Sequence, residues 1–147
     1  MTLTLLLDLD DTLLNTNMQA FIPAYFQALT SELAPYIAPG QMARALLSGT
    51  RQMNESVDFS RTLQEVFDAE FYSQPNISRS DLEPAIENFY DHIFPNLAGL
   101  TSQIPEAKRF VDWALSKGYR IAIATDPLLP WKATLHRLRW AGFDPQQ

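Results

Sequence analysis

The chain has 147 residues, 46% of them hydrophobic and 12% aromatic, which suits one domain with a buried core and excludes a collagen-like or wholly disordered chain. Its formal net charge of −6 argues against nucleic acid as a partner, because phosphate backbones bind to basic surfaces. The absence of cysteine excludes disulfide scaffolds, thiolate metal sites and cysteine nucleophiles. No stretch approaches the roughly 20 apolar residues of a membrane span, so we expect a cytoplasmic protein without a membrane partner.

The N-terminal segment predicts a strand. Residues 2–9 form a nearly continuous apolar run, the pattern of a strand buried on both faces of a sheet. The polar sequence DLDDT follows at residues 8–12, where such a strand would reach solvent.

A helical segment follows this strand. The spacing of apolar residues predicts a first helix over residues 18–29 and a second helix that Pro39 opens. Two more helical patterns follow, with Ser60 as the expected N-cap of one and Ser80 as the first residue of a capping box in the other. Together these patterns predict a helical cap over residues 16–95.

The C-terminal segment alternates between helix and strand. Pro105 and Gly118 bracket an amphipathic helix, and residues 119–125, with the sequence YRIAIAT, predict a second buried strand. Another helix follows Pro130 and ends before Gly142.

The order of these elements is typical of a parallel α/β sheet, in which strands alternate with helices. We therefore predict an α/β fold with a partial Rossmann-like parallel sheet core and an inserted α-helical cap. The core comprises residues 1–15 and 96–147, and the cap comprises residues 16–95.

Polar side chains follow both predicted strands. Because ligands collect at the carboxyl ends of parallel strands, we expect Asp8, Asp10 and Thr125 to share one crevice. The Cα atoms of Asp8 and Asp10 would lie roughly 6.5 Å apart in an extended chain, with both side chains on one side. One carboxylate of such a pair can attack covalently while the other transfers protons, and together they offer oxygen ligands to Mg²⁺. The cation would offset the repulsion between two acids and a phosphate, and Thr125 would donate its hydroxyl to a phosphoryl oxygen.

These motifs resemble those of the haloacid dehalogenase superfamily. The segment LLLDLDDTL at residues 5–13 resembles its motif I, an apolar strand followed by DxDx(T/V). The segment IAIAT at residues 121–125 resembles its motif II, an apolar strand that ends in Thr or Ser. A helical cap between the two motifs is also similar to the family. The resemblance covers essentially all of this chain but only the first portion of the family's core.

The resemblance implies a Mg²⁺-dependent phosphatase that acts on a small phosphorylated metabolite. It implies that Asp8 is the nucleophile, which forms an aspartyl-phosphate, and that Asp10 protonates the leaving group and then activates water. It also implies that the Asp8 carboxylate and the Asp10 backbone carbonyl hold Mg²⁺, and that Thr125 and the amide of Asp126 bind the phosphoryl group. Asp10 favours phosphoryl transfer over carbon–halogen cleavage, because the dehalogenase branch lacks this aspartate.

The later motifs of the family have no counterpart in this chain. Motif III is a lysine that offsets charge around the nucleophile, and motif IV is an acidic pair that completes the Mg²⁺ shell. Only 22 residues follow Thr125, and their one lysine, Lys132, is expected at the surface of a helix. We therefore expect a C-terminally truncated chain with impaired activity, whose first strand exposes an apolar sheet edge.

Two alternatives stay open at this point. A phosphomutase of the same superfamily uses the same pair of aspartates and would form a bisphosphate intermediate. A non-catalytic chain would instead use the exposed sheet edge to pair with a partner or with itself.

Overall fold

A computed structural model describes residues 3–74 and 78–145. The strands in these ranges are β1 (Thr4–Leu7), β2 (Leu14–Thr16), β3 (Thr101–Gln103) and β4 (Arg120–Ile123). The helices are α1 (Met18–Leu33), α2 (Pro39–Glu55), α3 (Leu63–Phe71), α4 (Arg79–Asn88), α5 (Pro105–Ser116) and α6 (Trp131–Trp140). A π-helical turn (Phe89–Ile93) and a 3₁₀ segment (Phe94–Leu100) continue from α4. Among the described helices, none has the length and apolar character needed to cross a membrane.

The strands form two small sheets. β1 and β4 are parallel neighbours, with Leu7 opposite Ile123, and β2 and β3 are antiparallel, with Asn15 opposite Ser102. The expectation that the two motif-bearing strands lie side by side in the same direction is confirmed. The fold is mixed α/β, and its parallel sheet has two strands in the described residues, which is less than a full Rossmann-like core.

The prediction that the first strand is buried on both faces is wrong, and so is the predicted burial of the second strand, in which Arg120 and Ala122 of β4 are exposed. Leu5 and Leu7 are half-buried, whereas Leu6 between them is 69% exposed. Leu7 packs against the buried cluster that includes Val111 of α5, and successive side chains of a strand point to opposite faces. A helical layer on one side of the sheet therefore covers only every second residue. Thr2, with which the predicted strand begins, lies outside the described residues.

The cap has an aromatic core. Most of its buried residues come from α1, α2, α3, α4 and the π-helical turn, and the 3₁₀ segment and α6 contribute Phe94 and Ala133. The largest are Phe21, Phe71, Phe89, Phe94, Leu33, Met42 and Leu82. The rings of Phe21 and Tyr25 both meet Phe94 edge-on, with 6.1 Å between ring centroids in each pair. Such pairs stabilise a core beyond the area that they bury.

A second, smaller cluster forms the core beneath the parallel sheet. Its buried members are Leu9, Leu13, Leu14, Val111, Leu138 and Ala141. They come from the turn after β1, from β2, from α5 and from the end of α6. Trp140 packs against both clusters, and Ala133 of the same helix belongs to the cap cluster. Helix α6 is therefore shared by the cap and the core.

Two predicted N-caps in the cap are wrong. The N–H and hydroxyl of Ser60 donate to Asp58 in a turn before α3, and the cap of that helix is Thr62. Thr62 forms a reciprocal capping box with Glu65. Ser80 is the second residue of α4, and the N-cap position is held by Ser78. The Ser80 hydroxyl forms hydrogen bonds with the side chains of Ser78 and Asp81.

The C-terminal helices agree with their predicted boundaries. α5 begins at Pro105, and α6 begins directly after Pro130. Gly118 and Gly142 follow the two helices with φ values of +78° and +88°, in the left-handed region that favours glycine.

The two segments that connect the cap to the core pair with each other. β2 leads into α1, and β3 leads back from the 3₁₀ segment. The side-chain amide of Asn15 donates to the Ser102 hydroxyl at 3.1 Å, and the N–H of Asn17 donates to the Leu100 carbonyl at 3.2 Å. The entrance and the exit of the cap are therefore fixed to each other, directly after the turn that follows β1.

Candidate active site

The two strands that carry the motifs end side by side. Leu7 and Ile123 are paired at the ends of β1 and β4, and the N–H of Ala124 donates to the Leu7 carbonyl at 2.8 Å. Asp8 follows β1 directly, and Thr125 follows β4 by two residues. Because neighbouring strands lie about 4.8 Å apart, a group of the size of a phosphate can contact both strand ends. The structure thus places Asp8 and Thr125 at one edge of the sheet.

A tight turn follows Asp8. Leu9 is fully buried, and its carbonyl accepts hydrogen bonds from the N–H groups of Leu13 and Leu14 at 2.9 and 3.0 Å. The N–H of Asp11 donates to the Leu14 carbonyl at 2.8 Å, and Asp11 has a φ of +54°. Aspartate tolerates this left-handed conformation better than most residues do. Asp11 is therefore a turn residue, as its position in the motif indicates.

The carboxylates of Asp8 and Asp10 have different surroundings. Asp8 is exposed, whereas the side chain of Asp10 is 28% exposed and its Oδ1 accepts a hydrogen bond from the guanidinium of Arg137 in an ion pair. The hydroxyl of Thr16 lies 3.5 Å from the same oxygen, which is long for a hydrogen bond. One carboxylate is thus open to a ligand, and the other is held against α6.

Arg137 is a member of this site that sequence reasoning missed. Its side chain is only 7% exposed. Burial lowers the pKa of Arg137, and the negative charge of Asp8 opposes that shift. The guanidinium therefore interacts with the negative charges of both Asp8 and Asp10. Among the described residues, the Nε of Arg137 is a buried donor without a hydrogen-bond partner.

The sequence does contain a signal for Arg137. On α6, Ala133 and Arg137 are four residues apart, and Ala141 follows four residues later, so the three share one face of the helix. Both alanines are fully or almost fully buried. A charged residue on an apolar stripe requires an opposite charge nearby, and motif I supplies three aspartates.

Lys132 takes no part in this site. Its Nζ lies 2.5 Å from a carboxylate oxygen of Glu87 and 2.7 Å from one of Asp91. The hydrogen bonds that Lys132 donates to Asp91 and Glu87 raise the pKa of Lys132. The expectation that Lys132 does not replace the motif III lysine agrees with this placement, because the side chain joins α6 to the cap.

Thr125 and Asp126 lie in the segment between β4 and α6. Thr125 is half-buried and Asp126 is exposed. The carbonyl of Asp126 accepts a hydrogen bond from the N–H of Leu128 at 2.9 Å, so the residue also forms a turn. Binding of a phosphoryl group by the Thr125 hydroxyl and the Asp126 amide stays a prediction.

The edge offers oxygen ligands for a hard cation. The Asp8 carboxylate is exposed, and the hydrogen bonds of the turn use the carbonyls of Leu9 and Leu14, which leaves the Asp10 carbonyl outside the bonding of the turn. Mg²⁺ commonly binds one or two protein carboxylates and completes its shell with water and substrate phosphate. Within residues 3–74 and 78–145, no three His, Asp or Glu side chains are grouped as a metal site. The residues present fit a Mg²⁺ with two protein oxygens rather than an enclosed one.

Two surface depressions in the described part of the chain are lined by residues other than the aspartates of motif I. A groove of about 510 Å³ lies between α1 and α2 and is lined by Phe26, Ala34, Ala43 and Leu47 among others. A smaller depression of about 320 Å³ lies against the paired linkers, at Asn15, Asn17 and Leu100. Asp8, Asp10 and Thr125 line neither of these two depressions.

Comparison with models of protein families, with curated proteins and with solved structures finds no match for this chain. Its function is therefore inferred from its own side chains. Those that matter here are the two aspartates, the threonine of the neighbouring strand and the buried arginine.

Proposed function

We propose that this chain is a hydrolase of the haloacid dehalogenase type, a Mg²⁺-dependent phosphatase that acts on a small phosphorylated metabolite. The observation that carries the proposal is the parallel pairing of β1 with β4, which puts Asp8 and Thr125 at one sheet edge. Ligands of parallel α/β sheets bind at this edge. The resemblance of both motifs to the family assigns a role to each of these residues.

In the proposed reaction, the exposed carboxylate of Asp8 attacks the phosphorus of the substrate. The bond to the leaving oxygen breaks, Asp10 supplies that oxygen with a proton, and an aspartyl-phosphate forms on Asp8. Asp10 then accepts a proton from water, which attacks the phosphorus and releases inorganic phosphate. The side chain that transfers the proton in both steps is the one that forms an ion pair with the guanidinium of Arg137.

The charge of the phosphoryl group must be offset at an edge that carries two carboxylates. Mg²⁺ held by the Asp8 carboxylate and the Asp10 main-chain carbonyl would supply positive charge to the phosphoryl oxygens. The Thr125 hydroxyl and the Asp126 amide would donate hydrogen bonds to the same group and orient it.

The cap is proposed to select the substrate. It is attached directly after the turn that carries Asp10, through the paired strands β2 and β3. A cap that closes over the edge would exclude water and admit small molecules in preference to proteins or nucleic acids. Its aromatic core is a cluster distinct from the core beneath the sheet, and α6 contributes residues to both.

A second candidate function is association through the sheet edge without catalysis. The observations that favour it are that β1 pairs with β4 alone among the described residues, and that Leu6 of β1 and Leu3 directly before it are 69% and 60% exposed. An apolar edge strand is a template for pairing with another chain. A phosphomutase is the alternative within the enzyme class, and a bisphosphate intermediate would distinguish it.

Hydrolysis of p-nitrophenyl phosphate by this chain tests the proposal. We expect Mg²⁺-dependent turnover that Asp8→Asn and a chelator both abolish. Asp11→Asn is the matched control, because it removes one carboxylate from the same turn and asparagine also tolerates the left-handed conformation of Asp11. Turnover that survives Asp8→Asn, or that is lost equally in Asp11→Asn, would argue against the proposed nucleophile.

A further inference from the structure

Arg137 places a permanent positive charge beside the paired aspartates. Its guanidinium forms an ion pair with Asp10, and the charge of Asp8 acts on it as well. Arginine stays protonated in proteins, and its side chain here is only 7% exposed. Because the charge is buried, salt screens it much less than it screens a charge at the surface.

The hydrogen bonding of Arg137 is incomplete. A guanidinium has five N–H donors, of which one nitrogen, Nη2, donates to Asp10. Nε is buried without a partner in the part of the chain that the structure describes. An apolar residue at this position of α6 would avoid that cost and could pack between Ala133 and Ala141. A buried arginine that stabilises the fold so inefficiently indicates a role in the site that it faces.

We propose that Arg137 acts as a counter-cation to Asp8 and Asp10 at the sheet edge. Its charge holds the Asp10 carboxylate against α6 and weakens the binding of a free divalent cation at that edge. The inference rests on the proposed Mg²⁺-dependent function, because it concerns how the same edge binds its metal. Like charges repel, and the repulsion is larger where water is excluded. The positive charge of Arg137 thereby reduces the repulsion between the two aspartates and an anionic phosphoryl group, at an edge that would otherwise attract cations alone.

Binding of Mn²⁺, used as a probe for Mg²⁺ sites, tests this inference without any turnover. Free Mn²⁺ is measured by electron paramagnetic resonance during titration of the unsubstituted chain, Arg137→Gln, Arg137→Lys and Arg139→Gln. Arg139→Gln is the matched control, because it makes the same substitution on the same helix at an exposed position.

We expect Arg137→Gln to bind Mn²⁺ at least about fivefold more tightly than the unsubstituted chain at 0.15 M salt, because the substitution removes a buried positive charge that repels the cation. Arg137→Lys and Arg139→Gln should stay within about twofold of the unsubstituted chain, since the first keeps the buried charge and the second removes a screened one. Equal affinities of Arg137→Gln and the unsubstituted chain, including no binding by either, would overturn the inference. Failure of hydrolysis together with the expected Mn²⁺ affinities would contradict the proposed function alone.

A second measurement covers the case in which Arg137→Gln does not fold, which circular dichroism detects. In the unsubstituted chain, substoichiometric Mn²⁺ should broaden the Nε–H nuclear magnetic resonance signal of Arg137 selectively. The reference signal is that of Arg79, which is ion-paired with Asp68 in the cap. Equal broadening of both signals would show that the cation does not bind beside Arg137 and would overturn the inference.

Discussion

Asp8 and Asp10 are separated by a single residue, yet the turn gives them different surroundings. Leu9 between them is fully buried and accepts two backbone hydrogen bonds, so it anchors the turn to the core. The left-handed conformation of Asp11 then ends the extended run. As a result, Asp8 stays open to solvent while Asp10 meets Arg137 on α6.

The buried hydroxyl pair of Tyr25 and Tyr90 predicts a dependence of stability on high pH. The two hydroxyls hydrogen-bond at 2.8 Å, and burial raises the pKa of Tyr25 to about 12 from 10.0. The unfolded chain therefore loses the Tyr25 proton at lower pH than the folded chain does. The stabilisation that comes from this difference in the Tyr25 pKa is complete below pH 10. It falls by about 2–3 kcal/mol as pH rises toward 12, because the two pKa values differ by about two units.

Urea unfolding at pH 9 and at pH 11.5 measures this loss. Tyr25→Phe should reduce the loss between the two pH values, and at pH 9 it should lower the free energy of unfolding by about 1–3 kcal/mol, because the Tyr90 hydroxyl is left unpaired. Tyr36→Phe is the control, since Tyr36 is 53% exposed. If Tyr25→Phe and Tyr36→Phe show the same pH dependence, the buried pair does not explain it.

At the scale of elements, α6 connects the two units of the molecule. Ala133 belongs to the cap cluster, and Leu138 belongs to the core cluster. Lys132 at the start of the helix pairs with two acids of the cap, and Arg137 one turn later pairs with Asp10. A shift of this helix would therefore change the contacts of both the cap and the aspartate edge.

The contact between α2 and α3 predicts a strict requirement for glycine. A Cβ added to Gly49 would lie 2.6 Å from the ring of Phe67, which is closer than real contacts allow. We expect Gly49→Ala to lower the free energy of unfolding by about 1–3 kcal/mol, the usual cost of overpacking. Urea unfolding followed by circular dichroism measures the change.

Gly40 offers the matched control in the same helix. A Cβ at Gly40 would meet only the end of the Arg44 side chain, at 3.8 Å. Gly40→Ala should leave stability unchanged or raise it by up to about 1 kcal/mol, because alanine is the better helix former. A loss in Gly40→Ala as large as in Gly49→Ala would mean that the ring contact is not the cause.

Some elements could be predicted from the sequence because their signals are local. The apolar runs and the bracketing Pro105 and Gly118 located β1, β4 and α5. Burial of Leu6 was wrongly predicted, because an apolar run indicates two covered faces only if a second layer exists to cover them. The apolar stripe of α6 indicates that Arg137 needs an opposite charge, but its partner Asp10 lies 127 residues earlier in the chain, and spacing along the sequence does not identify so distant a partner.

At the scale of the whole molecule, the exposed side of β1 predicts association between chains. Leu6 is 69% exposed on a strand that pairs with β4 on one side. We expect the apparent mass in size-exclusion chromatography to rise with concentration, and Leu6→Lys to suppress the rise, because a charge on an edge strand opposes pairing. Leu47→Lys is the control, since Leu47 is 62% exposed on α2.

Association that Leu6→Lys and Leu47→Lys suppress equally would implicate general surface hydrophobicity rather than the edge. A chain that stays monomeric at every concentration would remove the support for edge pairing as a function. The phosphatase proposal does not depend on either outcome, because Asp8 and Thr125 lie at the ends of the paired strands and not along the free edge.

The proposed reaction requires covalent phosphorylation of Asp8, and trapping the phosphorylated residue detects this step. The chain is incubated with p-nitrophenyl phosphate and Mg²⁺, quenched in acid and reduced with borohydride, which converts an aspartyl-phosphate into homoserine. Peptide mass spectrometry should then find homoserine at position 8, and none at positions 10 or 11. Label at another aspartate, or an unlabelled Asp8 in a chain that hydrolyses the substrate, would contradict the proposed mechanism.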